Sequence, residues 1–262
     1  MNSLDSVVSF LNDVQNTFQD FCAEFNPGSK IEKNKWESKI GPTDVMISRG
    51  DVFEKASLVY CDLEIDTPPV LAEKLGKQGS RMRALVLEIG IHPNNPKIPK
   101  AYMELRANII EDKVILAGGT DIFPYFENEL DVKYFAEKIK SVCDNHGQDY
   151  EALRKVRVDF FQSKYRKCNV GSHAGIYFFY LEAEKIDFYK QMSETFFDAY
   201  KVIIENNKDK SFDQADIDYK YMLHGQWAQW ILVEDEGTRF GLDMGIPPDA
   251  LLGPILPPIA KF

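Results

Sequence analysis

Four stretches of this chain carry residue types that do chemistry. In IGIHPNNPKIP, His92 ends an apolar run just before a proline-rich turn. That places an imidazole at the rim of a sheet, either as a ligand contact or bonded to a turn carbonyl. In AGGTDIFPYF, Asp121 follows the run VILA and two glycines that let the backbone approach whatever lies opposite. A carboxyl group between apolar walls has a raised pKa unless donors satisfy it. Asp121 is therefore either a site carboxylate or a loop cap held by backbone N–H groups. Arg106, between Leu105 and Ile109, offers a rigid fork for carboxylates, unless Glu104 or solvent takes it. In EDEGTRFGLDMG, Arg239 and Asp243 either point together into a site or line a solvated hairpin.

Periodicity supplies the elements that must position them. Residues 4–25 place apolar side chains three and four apart, as in a helix with one buried face, and Asn26-Pro27-Gly28 ends it. Residues 44–65 read as strands closed by Thr67-Pro68-Pro69, and 84–93 as a further strand. AYMELRANII (101–110) and KVILAGG (113–119) alternate on either side of Glu111-Asp112, which with the preceding strand gives an antiparallel meander. The period then changes: 129–146 reads as a helix capped near His146-Gly147, and 149–168 as a second. A strand over 174–183, a long helix over 188–208 and a hairpin over 226–245, turned at EDEG, follow. The tail PPDALLGPILPPIAKF, with its prolines, reads as extended or irregular. The expectation is one α+β domain over 1–262, a large antiparallel sheet covered by helices.

Composition narrows the class. The chain has 262 residues, net charge −10, 44% hydrophobic and 13% aromatic residues. It is too apolar for disorder and too acidic for a general nucleic-acid binder, although local arginines can still hold a small anion. No run approaches the length of a membrane span, and the N-terminal stretch lacks the basic start of a signal peptide. Four scattered cysteines without a C-x-x-C point to reduced thiols and a cytoplasmic protein. The four histidines show no metal-ligand spacing. P-loop, G-x-G-x-x-G and G-x-S-x-G signatures are absent.

Several strings together resemble the oxygen-dependent coproporphyrinogen III oxidases. GDVFEKASLVY, IGIHPNNPKIP and GGTDIFPYF look like runs of that family. CDNHGQDY, FFQSKYRK, AGIYFF and EDEGTRFGLDMG followed by ILPP continue in its order, from about Trp36 to Pro258. The resemblance implies a large antiparallel sheet between helices, a homodimer, and oxidative decarboxylation of two porphyrinogen propionates to vinyl groups in haem biosynthesis. Dioxygen is the acceptor and no organic cofactor is needed. It gives Asp121 the role of accepting pyrrole N–H groups and Arg106 that of pairing with propionates. Phe123, Tyr125, Tyr177 and Phe178 then offer aromatic walls.

The chain departs from the family pattern at several places. The family's H-A-N-x-R falls on Tyr102 to Arg106, so Tyr102 and Glu104 stand where it has histidine and asparagine. Two further family histidines fall on Ala136 and Tyr165. These losses imply a site without metal. Rival readings are a diverged member acting on another tetrapyrrole or a small carboxylic acid, and a non-catalytic tetrapyrrole binder. The expected catalytic residues are Asp121, Arg106 and Tyr102. His92, Glu104, Arg49, Tyr125, Arg166, Arg239 and Asp243 are expected to contact substrate. Trp227 and Trp230, three apart on the expected strand, would face opposite sides, one toward the core and one toward a dimer interface.

Overall fold

The computed structural model describes residues 3–171 and 173–262. Seven strands form one antiparallel meander in chain order: β1 (Glu32–Ser38), β2 (Gly41–Ser48), β3 (Phe53–Asp66), β4 (Arg81–Pro93), β5 (Lys100–Ile110), β6 (Lys113–Phe123) and β7 (Ile176–Glu182). The helices are α1 (Ser3–Phe25), α2 (Pro69–Leu75), α3 (Glu129–Asn145), α4 (Tyr150–Phe160), α5 (Ile186–Asn207), α6 (Gln214–Val233), α7 (Glu236–Asp243) and α8 (Pro248–Ile255). The α+β architecture is the one the sequence implies.

Alternation along the strands divides the sheet into two faces. One carries Leu58, Leu85, Leu87, Ile89, Met103 and Leu105, all fully buried beneath α1, α3 and α5. On α1, Val7, Leu11, Val14, Phe18 and Phe21 form the buried stripe, and Phe21 stacks on Phe53 of β3 with ring centroids 5.6 Å apart. Asn26 ends this helix, its Oδ1 accepting the N–H groups of Val52 and Phe53 at 3.1 and 3.0 Å. That fastens α1 to the start of β3.

The opposite face bears the polar side chains. At one end, Ala250 and Leu251 of α8, with Ile246, pack on Val59 and Leu63. At the other, Trp227, Trp230 and Ile231 of α6 cluster with Phe123 and Phe161. Lys55 Nζ donates to the carbonyls of Gly253 and Leu256, placing a cation at the C-terminal end of α8. Between the two apolar patches the sheet floor carries Glu88, Tyr102, Glu104 and Arg106. The register sets Glu88 opposite Glu104 and Gly90 opposite Tyr102. A Cβ on Gly118 would lie 2.2 Å from the Glu104 carbonyl oxygen, so only glycine lets β6 press against β5 behind this floor.

Four local expectations are corrected. The stretch 226–245 is no hairpin but the end of α6 followed by α7. EDEG starts a helix: the Asp235 carboxylate accepts the Thr238 N–H at 2.9 Å. Upstream, Asp213 and Asp216 cap α6 reciprocally. Trp227 and Trp230 consequently share a helix face and stack at 5.5 Å. The expected helix over 149–168 stops at Phe160, because the chain turns back at Ser163, whose N–H donates to the Cys168 carbonyl at 2.9 Å. The tail contains α8, with Pro248 in its first turn, where proline favours a helix start. His92, the last residue but one of β4, stands at the strand end as expected and is 2% exposed. Charged β1 and short α2 correspond to no element expected from periodicity.

Candidate active site

The polar floor opens into a cavity of about 270 Å³. Glu88, Glu104, Arg106, His92 and Lys100 supply its charged or titratable sheet groups, and Tyr102, Tyr177, Phe160, Trp227 and Trp230 its aromatic walls. A second cavity of about 360 Å³ adjoins it and shares Val59, Glu88, Arg106, Glu236 and Gly237. The second falls inside, and the first just below, the range of about 300–1,000 Å³ typical of small-molecule sites.

Glu104, 2% exposed, is held from several sides. Its Oε2 accepts the Tyr177 hydroxyl at 3.0 Å, and its Oε1 forms an ion pair with Arg106 Nε. The Tyr102 hydroxyl points to the same oxygen as Tyr177, at a long 3.5 Å. Burial pushes both phenols well above their ordinary pKa, with nearby carboxylates adding to the shift, so both remain donors. Burial disfavours the Arg106 charge, but Glu104 together with Tyr177, Glu88 and Tyr102 outweighs it and holds the guanidinium above its usual value. The Arg106 side chain is still 33% exposed. Opposite on β4, burial and then the neighbouring Glu104 raise the Glu88 carboxyl to about 8. A carboxylic acid that keeps its proton at neutral pH is thus set beside an ion-paired carboxylate.

The other end of the cavity differs in chemistry. His92 Nδ1 has no hydrogen-bond partner, and burial with the nearby His224 keeps the imidazole neutral. Lys100, 6% exposed, lies over the ring of Trp227 at 3.2 Å and forms no ion pair among the described residues. Burial, then the Arg157 charge, lowers its pKa well below the ordinary value. Lys100 also lines a cavity of about 490 Å³ on its far side, where Tyr125 donates to or accepts from His224 Nε2 at 2.8 Å.

Asp121 is placed elsewhere than the resemblance implies. It is 0% exposed and outside the lining of the first cavity. Its Oδ1 accepts N–H groups from Ile122, Ala174 and Gly175 at 2.8, 3.0 and 2.7 Å, and Oδ2 accepts that of His173 at 3.2 Å. Arg157 Nε stands 3.7 Å from Oδ2, also fully buried. This carboxylate ties the approach to β7 onto the end of β6. Arg49, Arg166, Arg239 and Asp243 are exposed and lie outside the cavity lining, with Arg166 bonded to Gln229. The structure therefore gathers His92, Tyr102, Glu104 and Arg106 in the first cavity and leaves those four, with Asp121 and Tyr125, outside it. Glu88, Lys100 and the buried Arg157 were not singled out by the sequence reading. A lone glutamate inside the apolar run ALVLEIGI was the available signal.

A family model described as coproporphyrinogen III oxidase matches residues 6–262. The chain belongs to the coproporphyrinogen III oxidase family. A Drosophila melanogaster protein named oxygen-dependent coproporphyrinogen-III oxidase is 26% identical over 247 residues, covering 85% of this chain. The chain spans 63% of that relative's length. Proteins of the same name from Francisella philomiragia and Coxiella burnetii are 28% and 25% identical, covering 89% and 96% of this chain and 82% and 85% of their own. Glu88, Glu104, Asp235 and Glu236 all line the cavity of this chain. Among the described residues, no three His, Cys, Asp or Glu side chains come together as a metal-binding group. No helix among them is long and apolar enough to cross a membrane.

Proposed function

We propose that this chain performs the reaction named for its relatives, dioxygen-dependent oxidative decarboxylation of coproporphyrinogen III in haem biosynthesis, in the cavity over β4 and β5. The observation that carries the proposal is Arg106, the family-matching arginine, presented in an aromatic-walled cavity on the polar face of the sheet. In each half-reaction a propionate loses carbon dioxide and the equivalent of a hydride from the carbon next to the ring. Dioxygen takes the two electrons, and with the released proton and one more gives hydrogen peroxide and a vinyl group. Arg106 receives a propionate, and Glu104 fixes its fork by the ion pair. Tyr102 and the protonated Glu88 are donors within the same cavity. Dioxygen is the only co-substrate this reading requires.

A second reading, a smaller substrate with fewer carboxylates, is favoured by one feature. The carboxylates of Glu104, Asp235 and Glu236 line a cavity of about 270 Å³ beside the protonated Glu88, and their charges repel a tetracarboxylate. Oxygen uptake separates the two. Mixing the protein with coproporphyrinogen III should consume two dioxygen molecules per substrate, and no uptake above the spontaneous rate would reject the first reading. A cytoplasmic homodimer follows from the resemblance and the reduced thiols. With both tryptophans in one core cluster, the dimer rests on the resemblance alone. Sedimentation at micromolar concentration tests it, and a single-chain mass that persists on concentration rejects it.

A further inference from the structure

The first cavity is polarised along the strands. Glu88 and His92 are four residues apart on one face of β4, about 13 Å at about 3.3 Å per residue. Between them Gly90 leaves the floor bare; even a Cβ there would meet only Ser57 Oγ, at 3.6 Å. Glu88 faces Glu104 on β5 at one end. At the other, Lys100 precedes Ala101, which pairs with Ile91, so Lys100 and His92 share that end. One end thus presents carboxyl oxygens. The other presents an amine without an ion pair and an imidazole whose Nδ1, though buried, has no partner. A buried polar atom left unmatched costs on the order of 1–3 kcal/mol, and a ligand group restores that loss. Aromatic rings from α4, α6 and β7 wall the space between, which suits a flat ring.

We infer that this cavity takes a bipolar aromatic ligand, with a hydrogen-bond-donating nitrogen between Glu88 and Glu104 and a carboxylate at Lys100 and His92. The inference deepens the proposed function and rests on its placing substrate in this cavity. Two sources share the chemistry: a pyrrole-type N–H, as in a porphyrinogen, and the ammonium of a small aromatic amino acid. The acidic pair is suited to either. Glu104 Oε2 accepts from Tyr177 and Oε1 is paired with Arg106, but a carboxylate oxygen can accept twice, so Glu104 together with Glu88 retains acceptor capacity for a ligand nitrogen. Lys100 has no carboxylate within ion-pair distance among the described residues, so it is the amine left to a ligand carboxylate, whose charge favours its protonated form.

Calorimetric titration at neutral pH with two matched probe pairs tests this. The first pair is 3-(indol-3-yl)propionate and its N-methyl analogue. The second is 3-[4-(aminomethyl)phenyl]propionate and 3-(4-methylphenyl)propionate. In at least one pair, the member with the nitrogen donor should bind ten or more times tighter. The first pair reports the neutral N–H and the second the ammonium. Glu104→Gln, or Glu88→Gln should the former not fold, should cut that preference to below threefold. Lys100→Met should weaken both members alike. Less than twofold discrimination in both pairs, no binding of any probe at millimolar concentration, or discrimination untouched by the glutamate variants would overturn the inference. Oxygen uptake with coproporphyrinogen III, run in parallel, keeps the two claims apart. Uptake without discrimination rejects the bipolar ligand alone, and discrimination without uptake rejects the porphyrinogen reading alone.

Discussion

Replacing Asp121 with asparagine should unfold this protein more easily before it does anything else. In the native structure both carboxylate oxygens are committed: Oδ1 to three backbone N–H groups and Oδ2 to a fourth, with Arg157 3.7 Å away. Asparagine keeps one acceptor oxygen. Its NH2 must then face either the three N–H groups or the His173 N–H and the guanidinium, donor against donor. It also leaves Arg157 buried without its counter-charge, and breaking a buried pair from one side costs about 3–5 kcal/mol. The ring of Phe161, 4.1 Å from the guanidinium, softens that loss by about 1 kcal/mol. A net cost of about 3 kcal/mol corresponds to a fall of about 6–12 °C in melting temperature for a chain of this size. Thermal and urea unfolding of both proteins measure it. Adding Arg157→Met should recover part of the loss, because it removes the stranded charge. If Asp121 were instead a ligand carboxylate, the variant would melt within about 2 °C of the parent and lose turnover about a hundredfold. That pair of results would refute the reasoning.

Other expectations follow from the cavity. The Glu88 carboxyl is raised in the fold from the usual 4.5 to about 8. The stability tied to its proton is thus fully present below about 4.5 and is lost as pH rises through about 8. Unfolding free energy should fall from pH 5 to 8 relative to Glu88→Gln by about 1–2 kcal/mol, after discounting for the open cavity; parallel curves would contradict this. Arg106→Lys exchanges a fork for a point charge, and should raise KM more than it lowers kcat, with steady-state kinetics as the check. Protein purified without chelator should hold no stoichiometric zinc, copper or manganese by elemental analysis. Metal released only on unfolding would contradict that expectation.

The meander was legible because its strands alternate at period two and its turns carry Asn, Pro and Gly. From 226 to 245 the same logic misled. α6 exposes Tyr219, Met222, Leu232 and Val233 while burying both tryptophans, so no single apolar stripe marks it as a helix. The N-caps, Asp213 of α6 and Asp235 of α7, were the better signal. In the site, Arg106 was legible as a guanidinium on an apolar strand, and Tyr102 and Glu104 because they stand in the stretch that resembles the family's H-A-N-x-R. Asp121 lies on the same face as Tyr102 by register but is drawn toward the chain that enters β7, a tertiary arrangement no local spacing reveals. Lys100 and His92 meet only through the pairing of β4 with β5, and Arg157 reaches the sheet from α4. Residue types therefore pointed to His92 but not to Lys100 or Arg157.

The most direct test of the account is the mass of the product. The protein is incubated with coproporphyrinogen III without oxygen, air is admitted, and the porphyrin is analysed by mass spectrometry. The account predicts a product lacking two carboxyl groups, each lost as carbon dioxide with vinyl formation, at a rate that falls in Arg106→Ala. A substrate recovered with all four carboxyl groups, or a product formed equally fast without Arg106, would contradict it.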